Sequence, residues 1–258
     1  MPDYTYVDQS PALQYLFYPR QECSGNPSGS YDYYVEVEKD IKLACRFYPA
    51  DPAWPWLLYF HGNGEIASDY DEIAPFYQIC RLNLVVADYR GYGLSQGRPT
   101  VSSVASDAEK VFKAVKQEVL RRYEVSDWWV MGRSMGSIAA LQLAWQSPAE
   151  LKGFIIESGF ASVTRLITHL GIMAPNAALK SIEEACFNMI AGIKIPGLIL
   201  HGDRDTVVPW SEGKLIYDAL GSIDKQMLTI PGASHNDIIC CDMPRYFGAI
   251  QGFIYQPR

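Results

Sequence analysis

The sequence predicts an α/β fold: a mostly parallel central sheet with an antiparallel N-terminal edge, helices on both faces and a short helical cap. Three observations carry this. Short apolar runs recur at PWLLYF (55–60), NLVVADY (83–89), DWWVMG (127–132), GFIIES (153–158), PGLILHG (196–202) and QMLTIPG (226–232), as expected of strands covered on both faces. Helical patterns fill the gaps between them, and strand–helix alternation at this spacing requires crossover connections and hence parallel strands. The chain is 258 residues long and 48% hydrophobic, which suits one large domain with a substantial core.

Residues 1–32 are rich in Tyr, Pro, Gly and Ser, and CSGNPSGSYD (23–32) is a loop signal, so an irregular arm lying on the domain is expected. The domain proper then spans 33–258. YYVEVE (33–38) and IKLACRFY (41–48), joined by a Lys39–Asp40 turn, read as the antiparallel hairpin. A helix is expected over about 66–81. Another follows RGYGLSQGRPT (90–100), where Val101, Val104, Ala108, Val111, Phe112, Val115 and Val119 keep helical spacing, with Thr100, Ser102 or Ser103 as its cap. Further helices are expected at about 134–147, 211–220 and 238–254. Residues 159–195 form an excursion longer than one crossover helix needs. Placed over the carboxyl ends of the strands, it would serve as a lid or substrate wall.

Composition narrows the function. A net charge of −7 argues against nucleic acid or an anionic membrane as partner, and the densest basic run, LRRYE (120–124), reads as a solvated helix end. The six cysteines show no CxxC or His-paired metal spacing; neither a metal nor an organic cofactor is expected. The first 20 residues lack a signal-peptide pattern and no apolar run approaches a membrane span, which points to a cytoplasmic protein with reduced thiols. Adjacent Cys240 and Cys241 read as core thiols.

The chemistry centres on GRSMG (132–136), which follows the apolar run SDWWVM (126–131) and precedes the helical SIAALQLAW (137–145). A G-x-S-x-G at a strand-to-helix turn is a nucleophile elbow, in which Gly132 and Gly136 allow the tight turn and Ser134 is exposed at its apex. The helix N-terminus beneath it favours developing negative charge. Of the histidines, His61 (HGNG) and His201 (HGDRD) sit at strand ends where they hold loop backbone, and His169 lies in the cap. His235, in GASHND after the last strand, is the candidate base. HGDRDTVVP (201–209) offers Asp203 and Asp205 as the carboxylate that orients it. Asp203 directly follows the strand and reads as a turn former, so Asp205 is preferred, and the order Ser134, Asp205, His235 is the one expected. Backbone N–H groups of Met135 and of Asn63, in the HGNGE loop, are the candidate oxyanion donors.

With these motifs and DYRGYGLSQG (88–97) in place, residues 33–255 closely resemble the α/β-hydrolase superfamily, especially its small-cap lysophospholipase-, monoglyceride-lipase- and depalmitoylase-like serine hydrolases. The resemblance implies the same nucleophile, acid and base, and structural roles for Asp88, Arg90 and Gly91. Depalmitoylases carry a cysteine-rich N-terminus, whereas the arm here has Cys23 alone. The expectation is a serine hydrolase acting on a small-molecule ester or thioester through an acyl-enzyme. A non-catalytic protein of the same fold, or a peptidase or amidase, is the alternative. Phe160, Leu166, Ile167, Leu170, Ile172 and Met173 in the cap either wall an acyl pocket, with Phe160, Leu166, Leu170 and Met173 its substrate-binding residues, or pack against the core.

Overall fold

The computed structural model describes residues 2–123 and 127–257. Glu124 and Ser126, assigned above to a helix end and a strand start, lie outside the described residues. In chain order the elements are α1 (Thr5–Asp8), a 3₁₀ turn (Pro11–Tyr15), β1 (Tyr31–Glu38), β2 (Ile41–Tyr48), β3 (Trp56–Phe60), a second 3₁₀ turn (Ala67–Tyr70), α2 (Ala74–Ile79), β4 (Asn83–Ala87) and α3 (Val101–Arg122). There follow β5 (Trp128–Arg133), α4 (Gly136–Gln146), β6 (Gly153–Glu157), α5 (Val163–His169), α6 (Ala177–Gly192), β7 (Gly197–Gly202), α7 (Trp210–Ala219), β8 (Lys225–Ile230), α8 (Ile238–Cys241) and α9 (Met243–Ile254).

The strands make one sheet in the order β1-β2-β4-β3-β5-β6-β7-β8. β1–β2 and β2–β4 pair antiparallel and every later pair is parallel. Side chains alternate across it with period two. Trp56, Leu58 and Phe60 of β3 face a core shared with α3, α4 and α6, while Leu57 and Tyr59 face one shared with α2 and α9. Both faces are therefore dry, which explains why the parallel strands are continuous apolar runs.

Local chemistry sets the helix ends. Thr100 Oγ1 accepts the Ser103 N–H (3.0 Å) and Ser103 Oγ accepts the Thr100 N–H (2.9 Å), a reciprocal cap on α3. Asp8 of the arm adds its carboxylate to the same helix end, accepting from Val101 N–H at 2.8 Å.

Four sequence expectations change. The helix expected over 66–81 is split: Asp69 Oδ2 closes a short turn on the Ile66 N–H (3.0 Å), and Pro75 fits only the first turn of a new helix, α2. The helix expected over 238–254 breaks at Asp242, which caps α9 ahead of Pro244. The arm is not irregular throughout, since it carries α1 and a 3₁₀ turn. Cys240 and Cys241 are exposed, because the single turn of α8 buries Ile238 and turns both thiols outward.

The β5–α4 junction is closely packed: a Cβ on Gly136 would overlap the Phe60 carbonyl and one on Gly132 would overlap the Gly136 backbone. Gly136→Ala should lower stability by at least about 2 kcal/mol, seen as a drop of roughly 4 °C or more in the thermal midpoint. An unchanged midpoint would contradict this packing.

Candidate active site

β5 ends at Arg133 and α4 begins at Gly136, so Ser134 and Met135 make the turn. Ser134 has φ 50°, a left-handed conformation that costs a side-chain-bearing residue about 1–3 kcal/mol. Its N–H donates to the Glu157 carbonyl at 2.8 Å, and its own carbonyl accepts from Ser137 N–H (3.0 Å) and Ser137 Oγ (2.7 Å). The strained residue is thus gripped by β6 on one side and by the first turn of α4 on the other.

His235 reaches this apex from the loop after β8. Its Nε2 lies 3.0 Å from Ser134 Oγ, and its Nδ1 lies 2.7 Å from Asp205 Oδ2. Asp205 stands in the loop after β7, where its other oxygen accepts the N–H groups of Val207 (3.0 Å) and Val208 (2.8 Å). Burial opposes its ionisation, but hydrogen bonds from His201, His235 and the Val208 N–H outweigh burial and hold the carboxyl well below the usual carboxylate range. His201 Nε2 donates to the Val208 carbonyl (2.8 Å) and lies 3.4 Å from Asp205 Oδ2, which braces the loop that carries Asp205. Asp203 points elsewhere, accepting the Gly232 N–H at 2.7 Å.

The remaining histidines stand apart from Ser134 Oγ. His61 Nδ1 donates to the Gly62 carbonyl (2.8 Å), with its Nε2 3.2 Å from Asp88. His169 is exposed on α5 with Nε2 3.5 Å from the Thr206 carbonyl. Asp88 also accepts the Ala67 N–H (2.8 Å), Arg90 pairs with Asp107 (2.7 Å), and Gly91 takes φ 77°.

Met135 is the N-cap of α4, and the N–H groups at a helix start have no intrahelical partner. Asn63 lies across the site, tethered through its side chain. Its Nδ2 donates to the Leu16 carbonyl (2.9 Å), and its Oδ1 accepts from Tyr18 N–H (2.9 Å) and Tyr92 OH (2.6 Å). The arm therefore holds the loop that carries Asn63. This role of residues 15–18 escaped the sequence analysis; the aromatic run LQYLFY (13–18), with neither helical nor strand spacing, was the available signal.

Ser134, Met135, Asn63 and His235 open on a cavity of about 560 Å³. One wall is Phe160, Leu166, Leu170 and Ile172 of the cap, and the other is Tyr15 to Tyr18 of the arm. Met173 is not on the wall. Gly171 turns the chain at φ 69° and Ile172 N–H bonds back to the Ile167 carbonyl (3.0 Å), so Ile172 takes the wall position while Met173 packs on the core. Ile167 is fully buried in the core. A larger depression of about 800 Å³ lies among α5, α6 and α7, but none of Ser134, Asp205 and His235 borders it. Among the described residues no His, Cys, Asp and Glu cluster is arranged to hold a metal ion, and no helix is long and apolar enough to cross a membrane.

Residues 55–183, half of the chain, match the family described as serine aminopeptidase, S33. Protein bem46 of Schizosaccharomyces pombe is 27% identical over 205 residues, 78% of this chain and 67% of that protein. Human alpha/beta hydrolase domain-containing protein 17C is 27% identical over 215 residues, 80% of this chain but 60% of that protein. An esterase of Pyrococcus furiosus superposes with a TM-score of 0.73 at 19% identity, over 92% of this chain and 98% of the esterase, a likeness of fold. Sheet order, elbow and family match together make this chain an α/β hydrolase of the serine aminopeptidase S33 family.

Proposed function

We propose that the protein is a serine hydrolase that cleaves carboxylic esters or thioesters of neutral, apolar acyl groups through an acyl-enzyme. The observation that carries this reading is the chain Ser134–His235–Asp205, with links of 3.0 and 2.7 Å, opening on an apolar-walled cavity of about 560 Å³. An ionised Asp205 accepts a hydrogen bond from the Nδ1–H of His235, which leaves the Nε2 lone pair facing the Ser134 hydroxyl. His235 Nε2 takes the Ser134 hydroxyl proton as Oγ bonds to the acyl carbon, and Asp205 stabilises the resulting imidazolium. The N–H groups of Met135 and Asn63 receive the oxyanion, each worth several kcal/mol in the transition state. Imidazolium then protonates the departing alcohol or thiol as the carbon–heteroatom bond breaks. Water, deprotonated by His235, attacks the acyl-enzyme and releases the acid and Ser134.

The family's description brings an aminopeptidase reading with it. An aminopeptidase must bind a free ammonium group, and a carboxylate is the natural partner for one. Among the described residues, those lining the cavity include no Asp or Glu. Its walls are Phe160, Val163, Leu166, Leu170 and Ile172 with Tyr15 to Tyr18, surfaces suited to a hydrocarbon chain. This favours acyl esters over peptides.

On p-nitrophenyl esters, kcat/KM should rise with acyl length by up to about 0.8 kcal/mol per methylene until the cavity is full. Leu166→Glu should flatten that rise while sparing the acetate ester. Ser134→Ala should abolish turnover on all of them, and a free amino-acid anilide should be a poor substrate for the wild type. Activity retained by Ser134→Ala, or a preference for the anilide, would contradict the proposal.

Asp205→Asn should lower kcat by about 10⁴-fold at neutral pH, because the imidazole loses its orienting charge. Because folding depresses the Asp205 pKa, its contribution to stability is complete above the unfolded carboxyl value of about 4 and fades as pH falls through the folded value. Urea unfolding at a series of pH values should therefore show a shallower acid loss for Asp205→Asn than for the wild type. Parallel acid limbs would contradict the assignment.

A further inference from the structure

Arg133 fills the variable position before the nucleophile in G-x-S-x-G, and its side chain turns inward, not toward solvent. The residue is 8% exposed and ends β5 beside Glu157, the last residue of β6. Its guanidinium spends its donors in three directions. Nε donates to Glu157 Oε1 (3.1 Å), and Nη1 pairs with Glu65 Oε1. Nη2 donates to the His235 carbonyl (2.9 Å) and to Asn236 Oδ1 (3.0 Å).

Each partner belongs to a different part of the site. Glu65 closes the loop that carries Asn63, since its Oε2 accepts the Gly62 N–H (2.7 Å) and the Tyr70 hydroxyl (2.9 Å). A Cβ at Gly62 would overlap Arg133 Nη1, so loop and guanidinium are in direct contact. His235 and Asn236 belong to the base loop. Glu157 is fully buried and anchors the assembly to the sheet, its Oε2 accepting from Tyr59 OH (3.1 Å) and Tyr246 OH (2.5 Å). Burial pushes the Glu157 carboxyl up, against the pull of Arg133 and the Tyr246 hydroxyl. Arg133 and Asn236 also form a partition, because both line the 560 Å³ cavity and a second cavity of about 340 Å³ behind it, walled by Ile73, Phe76 and Ile238.

We propose that Arg133 is a positioning residue that locks the Asn63 loop and the His235 loop to the nucleophile elbow, so that oxyanion donors and base are held in one frame. The planar fork of arginine is what three directions require. A lysine ammonium is a point charge and cannot serve both carboxylates and the base loop together. A loop shift of about 1 Å costs about 10²-fold in rate when it misplaces a reacting group. The proposal rests on the hydrolase reading above, and the two fail differently.

The test is steady-state kinetics on p-nitrophenyl butyrate for wild type, Arg133→Met, Arg133→Lys and Asn236→Ala, with circular dichroism to check folding. Turnover by the wild type is the precondition, and its absence would sink the hydrolase reading itself. Given an active wild type, Arg133→Met should lose about 10²-fold in kcat with KM within about threefold, because geometry is lost and the acyl walls are kept. Arg133→Lys should recover less than about tenfold of that loss. Asn236 is exposed, so Asn236→Ala keeps the fold and decides the matter if Arg133→Met does not fold. It removes one of the two hydrogen bonds that Arg133 makes to the base loop and should cost about 3- to 10-fold in kcat with KM unchanged. A folded Arg133→Met with kcat within about threefold of wild type would overturn the proposal. So would full recovery in Arg133→Lys, a loss appearing in KM alone, or, where Arg133→Met does not fold, wild-type kcat in Asn236→Ala.

Discussion

The close approach of α4 to the end of β3 constrains the rest of this molecule. Gly136 lies against the Phe60 carbonyl with no room for a side chain, and Gly132 lies against Gly136 in the same way. A helix pressed that closely onto the sheet leaves the chain two residues in which to turn, which forces Ser134 to φ 50°. The strain of about 1–3 kcal/mol is carried by the hydrogen bonds that β6 and Ser137 make to the Ser134 backbone. The same turn sets Ser134 and the N-cap residue Met135 on the wall of the 560 Å³ cavity. Shape at the elbow is therefore a packing consequence before it is a chemical one.

Charge is arranged around that apex in two networks that meet at His235. On one side, Asp205 is held by two backbone N–H groups of its own loop, and His201 keeps that loop in place, so the carboxylate is fixed before His235 meets it. On the other side, Arg133, Glu65 and Glu157 form a buried cluster with Tyr59, Tyr70 and Tyr246. Buried ion pairs of this kind contribute little net stability, because desolvation offsets their attraction. Geometry is what they supply: the cluster joins loops from the ends of β3, β5, β6 and β8 at one guanidinium.

The legible parts of the sequence were those whose physics is local. Six apolar runs and the helical spacing of Val101 to Val119 declare a covered parallel sheet, and GRSMG, HGNGE, HGDRDTVVP and GASHND each fall at a strand end, where the sheet gathers them. Motif and register together bring Ser134, Asp205 and His235 within hydrogen-bond reach, though 101 and 30 positions separate the bonded pairs. Contacts without a local signature were hidden. The arm meets Asn63 through backbone groups of Leu16 and Tyr18, and backbone hydrogen bonding leaves no mark on residue type. Nothing within GRSMG marks Arg133, because its partners come from elsewhere: the loops after β3 and β8 and the end of β6. Ile172 rather than Met173 on the cavity wall depends on the turn at Gly171, which apolar spacing alone does not resolve.

The most direct measurement is intact-protein and peptide mass spectrometry after brief mixing with p-nitrophenyl butyrate, on acid-quenched wild type and on His235→Ala, in which acylation and deacylation both slow. The account predicts a single butyryl increment on the peptide containing Ser134, chased away by time in the wild type. An increment on any other residue, or turnover with no acyl adduct at Ser134 in either protein, would contradict it.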